Sequence, residues 1–263
     1  MCILSYFPPN TAVDEEGLFN GGANNPDGHG WAIAAGRSII MGKSLDLMRA
    51  LEEFTEARGR YPDAPALFHS RWATHGGVNV GNTHPFLVGG SHRTVVAHNG
   101  ILPKAAHPAS GDARSDTRKF ADEILARQFR RLDRRSVQTA LAQWCGRFNK
   151  LVVLTVDRRY RQSAYIINED AGEWDHSTGI WHSNGDYLDY PRWTGIAGAA
   201  APAAASGTYP DNSCYLCGCG VIDRNGYCSE CRSCQDCAEH IRDCMCWNRS
   251  LVAEHLRASV LDR

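Results

Sequence analysis

Short apolar runs bounded by proline, glycine or polar residues predict strands along most of the chain. These runs are residues 3–6, 30–34, 38–41, 66–71, 94–98, 151–156, 163–167 and 179–183. Gly36 separates the second run from the third, and residues 157–160 separate the sixth from the seventh. Both pairs therefore predict hairpins.

Apolar residues recur at helical spacing in three places between these strands. The predicted helices span about residues 44–59, 115–132 and 136–146. Ser44, Ser115 and Ser136 are the predicted starts, and the first helix is expected to turn Leu45, Met48, Leu51 and Phe54 inward. Strands, then helices, then strands again predict an α+β fold in layers.

The composition changes after Trp193, which divides the chain into four predicted parts. Residues 195–212 are rich in alanine, glycine and proline and are predicted to form a linker between a domain at 1–194 and the rest. Residues 213–247 form a cysteine-rich module. Residues 248–263 predict an amphipathic helix with Leu251, Val252, Leu256 and Val260 on one side, a face suited to docking.

Nine of the 11 cysteines lie between Cys214 and Cys246. They include three Cys-x2-Cys pairs and one Cys-x-Cys pair, the spacings of thiolates that close tetrahedral zinc sites, and a module this small needs such a staple to fold. The predicted ligands are Cys214, Cys217, Cys228, Cys231, Cys234, Cys237, Cys244 and Cys246. We expect one or two structural zinc ions; disulfides and an iron–sulfur cluster are the alternatives, and Cys219 and His240 are left unassigned.

The overall charge gives no reason to expect nucleic-acid binding. The formal net charge is -1 and the pI is about 6.8, so the chain lacks a basic field. No signal-like start and no apolar stretch of about 18 residues occurs, which predicts a cytoplasmic protein without a membrane anchor. This location also favours metal over disulfides for the cysteines.

The second residue is a candidate nucleophile. Removal of Met1 would leave Cys2 with a thiol and a free α-amine on one residue. The reference pKa is about 7.7–8.0 for the amine and about 8.5 for the thiol, so the amine can accept the thiol proton near neutral pH. A cysteine at position 2 has little meaning alone, and the interpretation depends on the rest of the chain.

Three strand ends carry polar residues that complement such a nucleophile. Residues 69–76 read His-Ser-Arg-Trp-Ala-Thr-His-Gly, and Arg71 there suits a carboxylate clamp. Residues 82–86 read Asn-Thr-His-Pro-Phe. Asn99-Gly100 offers an amide donor beside an unhindered backbone N–H, the components of an oxyanion hole, although Asn-Gly is also a common hairpin turn.

Together with Met1-Cys2, Ala97-His-Asn-Gly100 and Ser115-Asp-Thr117, these motifs resemble the type-2 glutamine amidotransferases, which are N-terminal-nucleophile hydrolases. The resemblance covers roughly residues 1–195, including Trp-His-Ser-Asn at 181–184. It implies a four-layer αββα sandwich, with the small zinc-binding module following it.

The resemblance also implies a role for each matching residue. Cys2 is the implied nucleophile with its own α-amine as base, and Asn99 and the Gly100 N–H form the oxyanion hole. Arg71 holds the α-carboxylate of glutamine, helped by Thr74 and His75. Asp116 takes the α-ammonium, while Trp72 and His84 shape the pocket. No cofactor is implied for catalysis.

Residues 25–31 depart from the hexosamine-synthase pattern. Asn-Pro-Asp-Gly-His-Gly-Trp is closer to the compact, stand-alone branch that includes the γ-glutamyl hydrolase of ergothioneine biosynthesis. Three functions therefore stay open: a glutaminase subunit that passes ammonia to a separate synthase or ligase, an autonomous γ-glutamyl amide hydrolase, and a non-catalytic zinc adaptor. The stretch after residue 195 is too short for a synthase fold, which favours a separate acceptor protein.

Overall fold

A computed structural model describes residues 2–73 and 77–188, and within them the chain forms ten strands. The strands are β1 (Ile3–Phe7), β2 (His29–Ala35), β3 (Ser38–Ser44), β4 (Ala66–Ser70), β5 (Phe86–Val88), β6 (Ser91–Asn99), β7 (Lys150–Thr155), β8 (Ala164–Ile167), β9 (Glu173–Trp174) and β10 (Trp181–His182). The helices are α1 (Glu15–Asn24), α2 (Leu47–Arg60), α3 (Asp116–Lys119), a π-helical segment (Phe120–Leu125), α4 (Ala126–Gln128) and α5 (Arg135–Cys145).

The strands form two antiparallel sheets. The six-stranded sheet has the order β3-β2-β4-β1-β10-β9, and the four-stranded sheet has the order β5-β6-β7-β8. In the larger sheet Ile3 pairs with Ser70 and Ser5 pairs with His182. This register brings the start of β1, the end of β4 and the end of β10 together at one end of the larger sheet.

Three apolar clusters divide this part of the chain into layers. The middle cluster joins residues of both sheets, such as Leu4 and Leu67 with Val95 and Val152, so the sheets pack face to face. A second cluster covers the outer face of the larger sheet with α2, and a third covers the smaller sheet with the helices that follow Ser115. The predicted α+β fold with four αββα layers is confirmed.

Two hairpins are confirmed in the places that the pattern indicated. β2 pairs with β3 around Gly36, whose φ of +61° is a left-handed conformation that favours glycine. β7 pairs with β8. The apolar runs that form the strands and the turn residues between them were sufficient for these local structures.

The predicted start of the first helix was wrong. Ser44 is the last residue of β3, and the N-cap is Asp46, whose side chain accepts a hydrogen bond from the Arg49 N–H. Leu45 and Met48 are 46% and 53% exposed, so they do not belong to the inner face. The inner face includes Leu51 and Phe54 as predicted, together with Ala50 and Ala57, and the N-cap lies two residues later than the pattern suggested.

The helix α1 was missed. It contains Gly21 and Gly22, which are poor helix formers, and it carries little apolar periodicity. Asp14 caps it by accepting a hydrogen bond from the Gly17 N–H at 3.0 Å. Gly21 and Gly22 are buried where a Cβ would collide with Ile3 and Leu47, so tight packing explains their presence.

The helices after residue 114 match the prediction in part. Ser115 caps α3 as expected, and Phe120 stacks on Trp144 of α5 with ring centroids 5.3 Å apart. The first of these helices ends at Gln128 rather than near residue 132 and contains a π-helical segment. The second begins at Arg135, with Arg134 as its N-cap instead of Ser136.

The other predicted parts lie outside the described residues. These are the linker at 195–212, the cysteine-rich module at 213–247 and the helix at 248–263. Within residues 2–73 and 77–188, no helix is long and apolar enough to span a membrane.

Candidate active site

Cys2 lies at the start of β1, partly buried between the ends of β4 and β10. The Trp72 N–H donates to Cys2 Sγ at 3.3 Å, and the thiol donates to the Trp72 carbonyl at 3.4 Å. The Cys2 carbonyl accepts a hydrogen bond from Asn184 Nδ2 at 3.0 Å. Burial raises the pKa of the Cys2 thiol, so the thiol needs a base in order to act as a nucleophile near neutral pH.

Arg71 follows β4 directly and is buried. Its Nη1 donates to the Gly77 carbonyl at 3.1 Å, and burial lowers the pKa of its guanidinium. A buried arginine at a strand end, beside the candidate nucleophile, is well placed to bind a carboxylate through two parallel hydrogen bonds.

Residues 25–28, which departed from the synthase pattern, hold the segment after β4. The Asp27 N–H donates to the Arg71 carbonyl at 2.9 Å, and the Arg71 N–H donates to the Gly28 carbonyl at 2.8 Å. Asp27 Oδ2 accepts from the Ala73 N–H at 2.8 Å. Asp27 therefore fixes the backbone on both sides of Trp72, a role that its place in the sequence did not indicate.

Asn99 and Gly100 end β6 on the opposite sheet. Asn99 is buried, and its Nδ2 donates to Ser183 Oγ at 2.8 Å. Gly100 has a φ of +137°, and a Cβ there would lie 2.4 Å from Asn149 Oδ1. The turn therefore requires glycine both for its backbone conformation and for the space it leaves to Asn149.

His98 supports this turn as a neutral imidazole, because burial lowers its pKa. Asn149 Nδ2 donates to the Cys145 carbonyl, which makes Asn149 Oδ1 an acceptor. His98 Nε2 therefore carries the hydrogen that it donates to Oδ1 at 2.8 Å. His98 Nδ1 then accepts from the Thr117 hydroxyl at 2.9 Å.

Asp116 begins α3 with its carboxylate turned toward the loop after Gly100. Its Oδ2 accepts from the Leu102 N–H at 3.1 Å, and its Oδ1 accepts from the Thr117 N–H at 2.7 Å. Burial is the main cause of the shifted pKa values of Cys2 and Arg71, and the charge of Asp116 raises both. The charge of Asp116, the predicted anionic anchor, thus acts both on the predicted cationic anchor and on the thiol.

The remaining predicted pocket residues differ in their placement. Trp72 is 47% exposed at the edge beside Cys2. His84 is buried, and its ring centroid lies 3.9 Å from that of His69 and 4.7 Å from that of Phe86, so it packs in the interior. Thr74 and His75 lie outside the described residues.

The chain also has sequence relatives among known proteins. No family model matches the chain. It is 36% identical over 80 residues to glutamine–fructose-6-phosphate aminotransferase (isomerizing) of Corynebacterium diphtheriae, and 44% identical over 78 residues to that of Corynebacterium efficiens. The matches cover 30% and 29% of this chain but 13% and 12% of those proteins. These matches support the type-2 glutamine amidotransferase family.

A solved structure has a weaker likeness. Glutamine phosphoribosylpyrophosphate amidotransferase from B. subtilis superposes with a TM-score of 0.44 and 15% identity, covering 70% of this chain and 42% of that chain. The fold assignment rests on the sheets and layers described above, and the family assignment on the sequence matches.

Several residues that organise this amidotransferase-like site were not predicted individually. Ser183 and Asn184 contact Asn99 and Cys2, although the sequence marked 181–184 only as a matching run. Their signal was the polar pair directly after a short apolar strand. Asn149 gave no signal, because its role depends on its place beside Gly100 in space.

Within residues 2–73 and 77–188, no group of three or more histidine, cysteine or acidic side chains could hold a metal ion. The eight cysteines predicted as zinc ligands lie outside these residues. Zinc binding stays a prediction.

Proposed function

We propose that residues 1–194 form the glutaminase domain of a type-2 amidotransferase and that Cys2 is its nucleophile. The observation that carries this proposal is the contact between Cys2 Sγ and the Trp72 backbone, with Arg71 adjacent. Cys2 and Trp72 are 70 positions apart, yet the pairing of β1 with β4 brings the thiol to the strand end that is followed by Arg71. Among the described residues, Arg71 is the one buried arginine at this end of the sheet.

The proposed reaction uses groups of this chain only. After removal of Met1, the α-amine of Cys2 takes the thiol proton, and the sulfur attacks the side-chain amide carbon of glutamine. Asn99 and the Gly100 N–H stabilise the negative charge on the former carbonyl oxygen. The α-ammonium returns the proton to the leaving nitrogen, ammonia departs, and water then hydrolyses the γ-glutamyl thioester to glutamate.

Recognition of the amino-acid end of glutamine requires two opposite charges. We assign the α-carboxylate to Arg71 and the α-ammonium to Asp116. The support is that both side chains are buried, Arg71 after the strand paired with β1 and Asp116 at the start of α3, and that the charge of Asp116 acts on both Arg71 and the thiol. Thr74 and His75 are assigned to the same end of the substrate by resemblance.

We propose that the ammonia passes to a separate synthase or ligase. At neutral pH free ammonia is mostly protonated and therefore a poor nucleophile, so the acceptor must be held close. Residues 213–263 are the candidate for this recruitment, because the alanine- and glycine-rich stretch at 195–212 suits a tether that raises local concentration. Deletion of 195–263 should preserve glutamine hydrolysis and abolish co-purification with the acceptor.

The function is tested by glutamate release from glutamine by the purified full chain. Cys2→Ala should abolish turnover, whereas Cys145→Ala, which removes a buried thiol remote in sequence, should not. Mass spectrometry should find Cys2 as the first residue of active protein. Wild-type turnover by Cys2→Ala would overturn the proposal, and activity only on a γ-glutamyl amide of a bulkier amine would favour the stand-alone hydrolase.

The zinc prediction has its own test. We propose that residues 213–247 bind one or two zinc ions through thiolates, on the support of the cysteine spacing. Elemental analysis of the purified chain should find zinc, and joint replacement of Cys214 and Cys217 by serine should remove at least one ion. Cys145→Ser is the matched control and should leave the zinc content unchanged.

A further inference from the structure

The two halves of the proposed site belong to different sheets. Cys2 precedes β1 of the six-stranded sheet, and Asn99 ends β6 of the four-stranded sheet. The distance from the nucleophile to the oxyanion donor therefore depends on contacts that cross between the sheets. Ser183, directly after β10, makes such a contact.

Ser183 is bonded to both halves and is 1% exposed. The Leu4 N–H donates to Ser183 Oγ at 2.9 Å, and the Ser183 N–H donates to the Leu4 carbonyl at 2.9 Å. These bonds tie Ser183 to β1 two residues after Cys2. The Asn99 amide lies 2.8 Å from the same Oγ, and Asn184 holds the Cys2 carbonyl.

We propose that Ser183 is a positioning residue that orients the Asn99 amide toward the oxyanion formed at Cys2. The inference rests on the proposed function for its kinetic consequence, while the contact itself can be tested separately. Asn99 is buried, and Ser183 is the partner of its side chain within residues 2–73 and 77–188. Loss of the Ser183 hydroxyl would thus leave the amide free to turn.

Proton placement strengthens this assignment. With Nδ2 facing Ser183, Asn99 Oδ1 is buried without a hydrogen-bond partner among the described residues, and the Ser183 hydroxyl hydrogen has no acceptor there. Turning the amide over satisfies both groups at once, because the Ser183 O–H then donates to Oδ1 while Oγ still accepts from Leu4. Both Nδ2 hydrogens become available to the substrate oxygen.

A second hydrogen bond between the sheets lies near the site, but its acceptor is a backbone carbonyl. His69 Nε2 lies 2.9 Å from the His98 carbonyl, which joins β4 to β6. Together with the apolar cluster between the sheets, it should keep the sheets packed when the Ser183 hydroxyl is removed. The expected defect is therefore the orientation of one side chain.

The kinetic test is a double-mutant cycle in the full chain. Ser183→Ala should lower kcat about tenfold to a hundredfold, less than the loss of the oxyanion donor itself, with KM within about twofold. In an Asn99→Ala background Ser183→Ala should cost no further activity, because it acts through the amide. Ser183→Thr, which keeps the hydroxyl, should recover most of the lost kcat.

The matched control is Ser5→Ala. Ser5 is also 1% exposed, and its Oγ bonds His182 Nδ1 at 2.9 Å in the same pair of strands, away from Asn99. It should lower the melting temperature about as much as Ser183→Ala and leave kcat unchanged. An equal loss of kcat from Ser183→Ala with and without Asn99, or a loss carried by KM, would overturn the inference.

A spectroscopic test does not depend on activity. With 15N-labelled asparagine, the side-chain amide signal of Asn99 is assigned by its disappearance in Asn99→Ala. That signal should shift in Ser183→Ala and stay in place in Ser5→Ala. An unmoved signal rejects the contact even in an active enzyme, whereas a shifted signal in a protein that hydrolyses no γ-glutamyl amide rejects only the proposed function.

Discussion

The oxyanion side and the nucleophile side of the site are held in different ways. Asn99 is buried, and the turn at Gly100 is supported by Asn149 and His98. Cys2 is only partly buried, and its neighbour Trp72 is exposed. The comparison indicates that the proposed donors are preorganised, while the proposed nucleophile lies on a partly exposed residue.

This difference matches the physical demands on the two groups. Fixed donors stabilise developing charge without reorganising during the reaction, so rigidity on that side increases the rate. A nucleophile must admit substrate and, in this proposal, exchange a proton with its own α-amine. Substitutions on each side of the site test this contrast.

The largest effect is expected at Gly100. Gly100→Ala would place a Cβ 2.4 Å from Asn149 Oδ1 and disfavour the φ of +137°. Displacement of the backbone donor should lower kcat by roughly 10²–10³, as loss of one oxyanion donor does elsewhere. Steady-state kinetics measures the loss.

Gly36→Ala is the control for this change, since Gly36 has a φ of +61° and no atom near its missing Cβ. It should cost about 1–2 kcal/mol of unfolding free energy, through the left-handed backbone alone, with kcat unchanged. An equal loss of kcat in both variants would mean that the turn is not specifically part of the site.

A smaller effect is expected at Arg71, the binding residue on the nucleophile side. Arg71→Lys removes the fork of two parallel hydrogen bonds but keeps the charge, so KM for glutamine should rise roughly tenfold to a hundredfold. Arg58→Lys is the control, because Arg58 is also buried but bonds the carbonyls of Pro8 and Tyr61. It should lower stability and leave KM unchanged; a rise in KM there would remove Arg71 from its assigned role.

Acid should destabilise the fold through buried histidines of the six-stranded sheet. Burial lowers the pKa of His29 and His182 to about 4 and that of His69 to about 3, from 6.5. Below pH 6.5 the unfolded chain binds protons that the folded chain excludes, so unfolding free energy should fall as pH drops from 6.5 toward 4. The slope is at most about 1.4 kcal/mol per pH unit for each histidine.

Denaturant unfolding at several pH values measures this slope. His182→Gln should flatten it, whereas His92→Gln, at an exposed position, should leave it unchanged. A slope that is the same in all three proteins would exclude His182 as a contributor.

The smallest effect is expected at Cys145, a thiol at the end of α5, which packs against the four-stranded sheet. Cys145 is 2% exposed whereas Cys2 is partly exposed, and burial raises the pKa of Cys145 to about 11, so it should resist iodoacetamide at pH 8 in the folded protein. Peptide mapping should find Cys2 alkylated and Cys145 unmodified, and Cys145→Ala should change kcat less than twofold. Alkylation of Cys145 at the rate of Cys2 would contradict the contrast in access.

The local sequence pattern was sufficient to predict elements whose structure depends mainly on their own residues. The hairpins of β2 with β3 and β7 with β8 follow from apolar runs separated by turn residues, and the cap at Ser115 follows from its side chain. It failed for α1 and for the cap at Ser44, because there packing against β1 and α2, or continued pairing of β3, outweighed local preference. Neighbours in space decided those cases.

The sequence by itself determined the chemical groups and the strand ends that carry them. Cys2, Arg71, Asn99 and Gly100 stood out as candidates because each lies beside a strand whose pattern is local, and the family resemblance added the role predicted for Asp116. Only the tertiary structure decided how they are held. Ser183 meets Leu4 and Asn99 across 179 and 84 positions, and such partners depend on sheet register and on the packing of one sheet against the other.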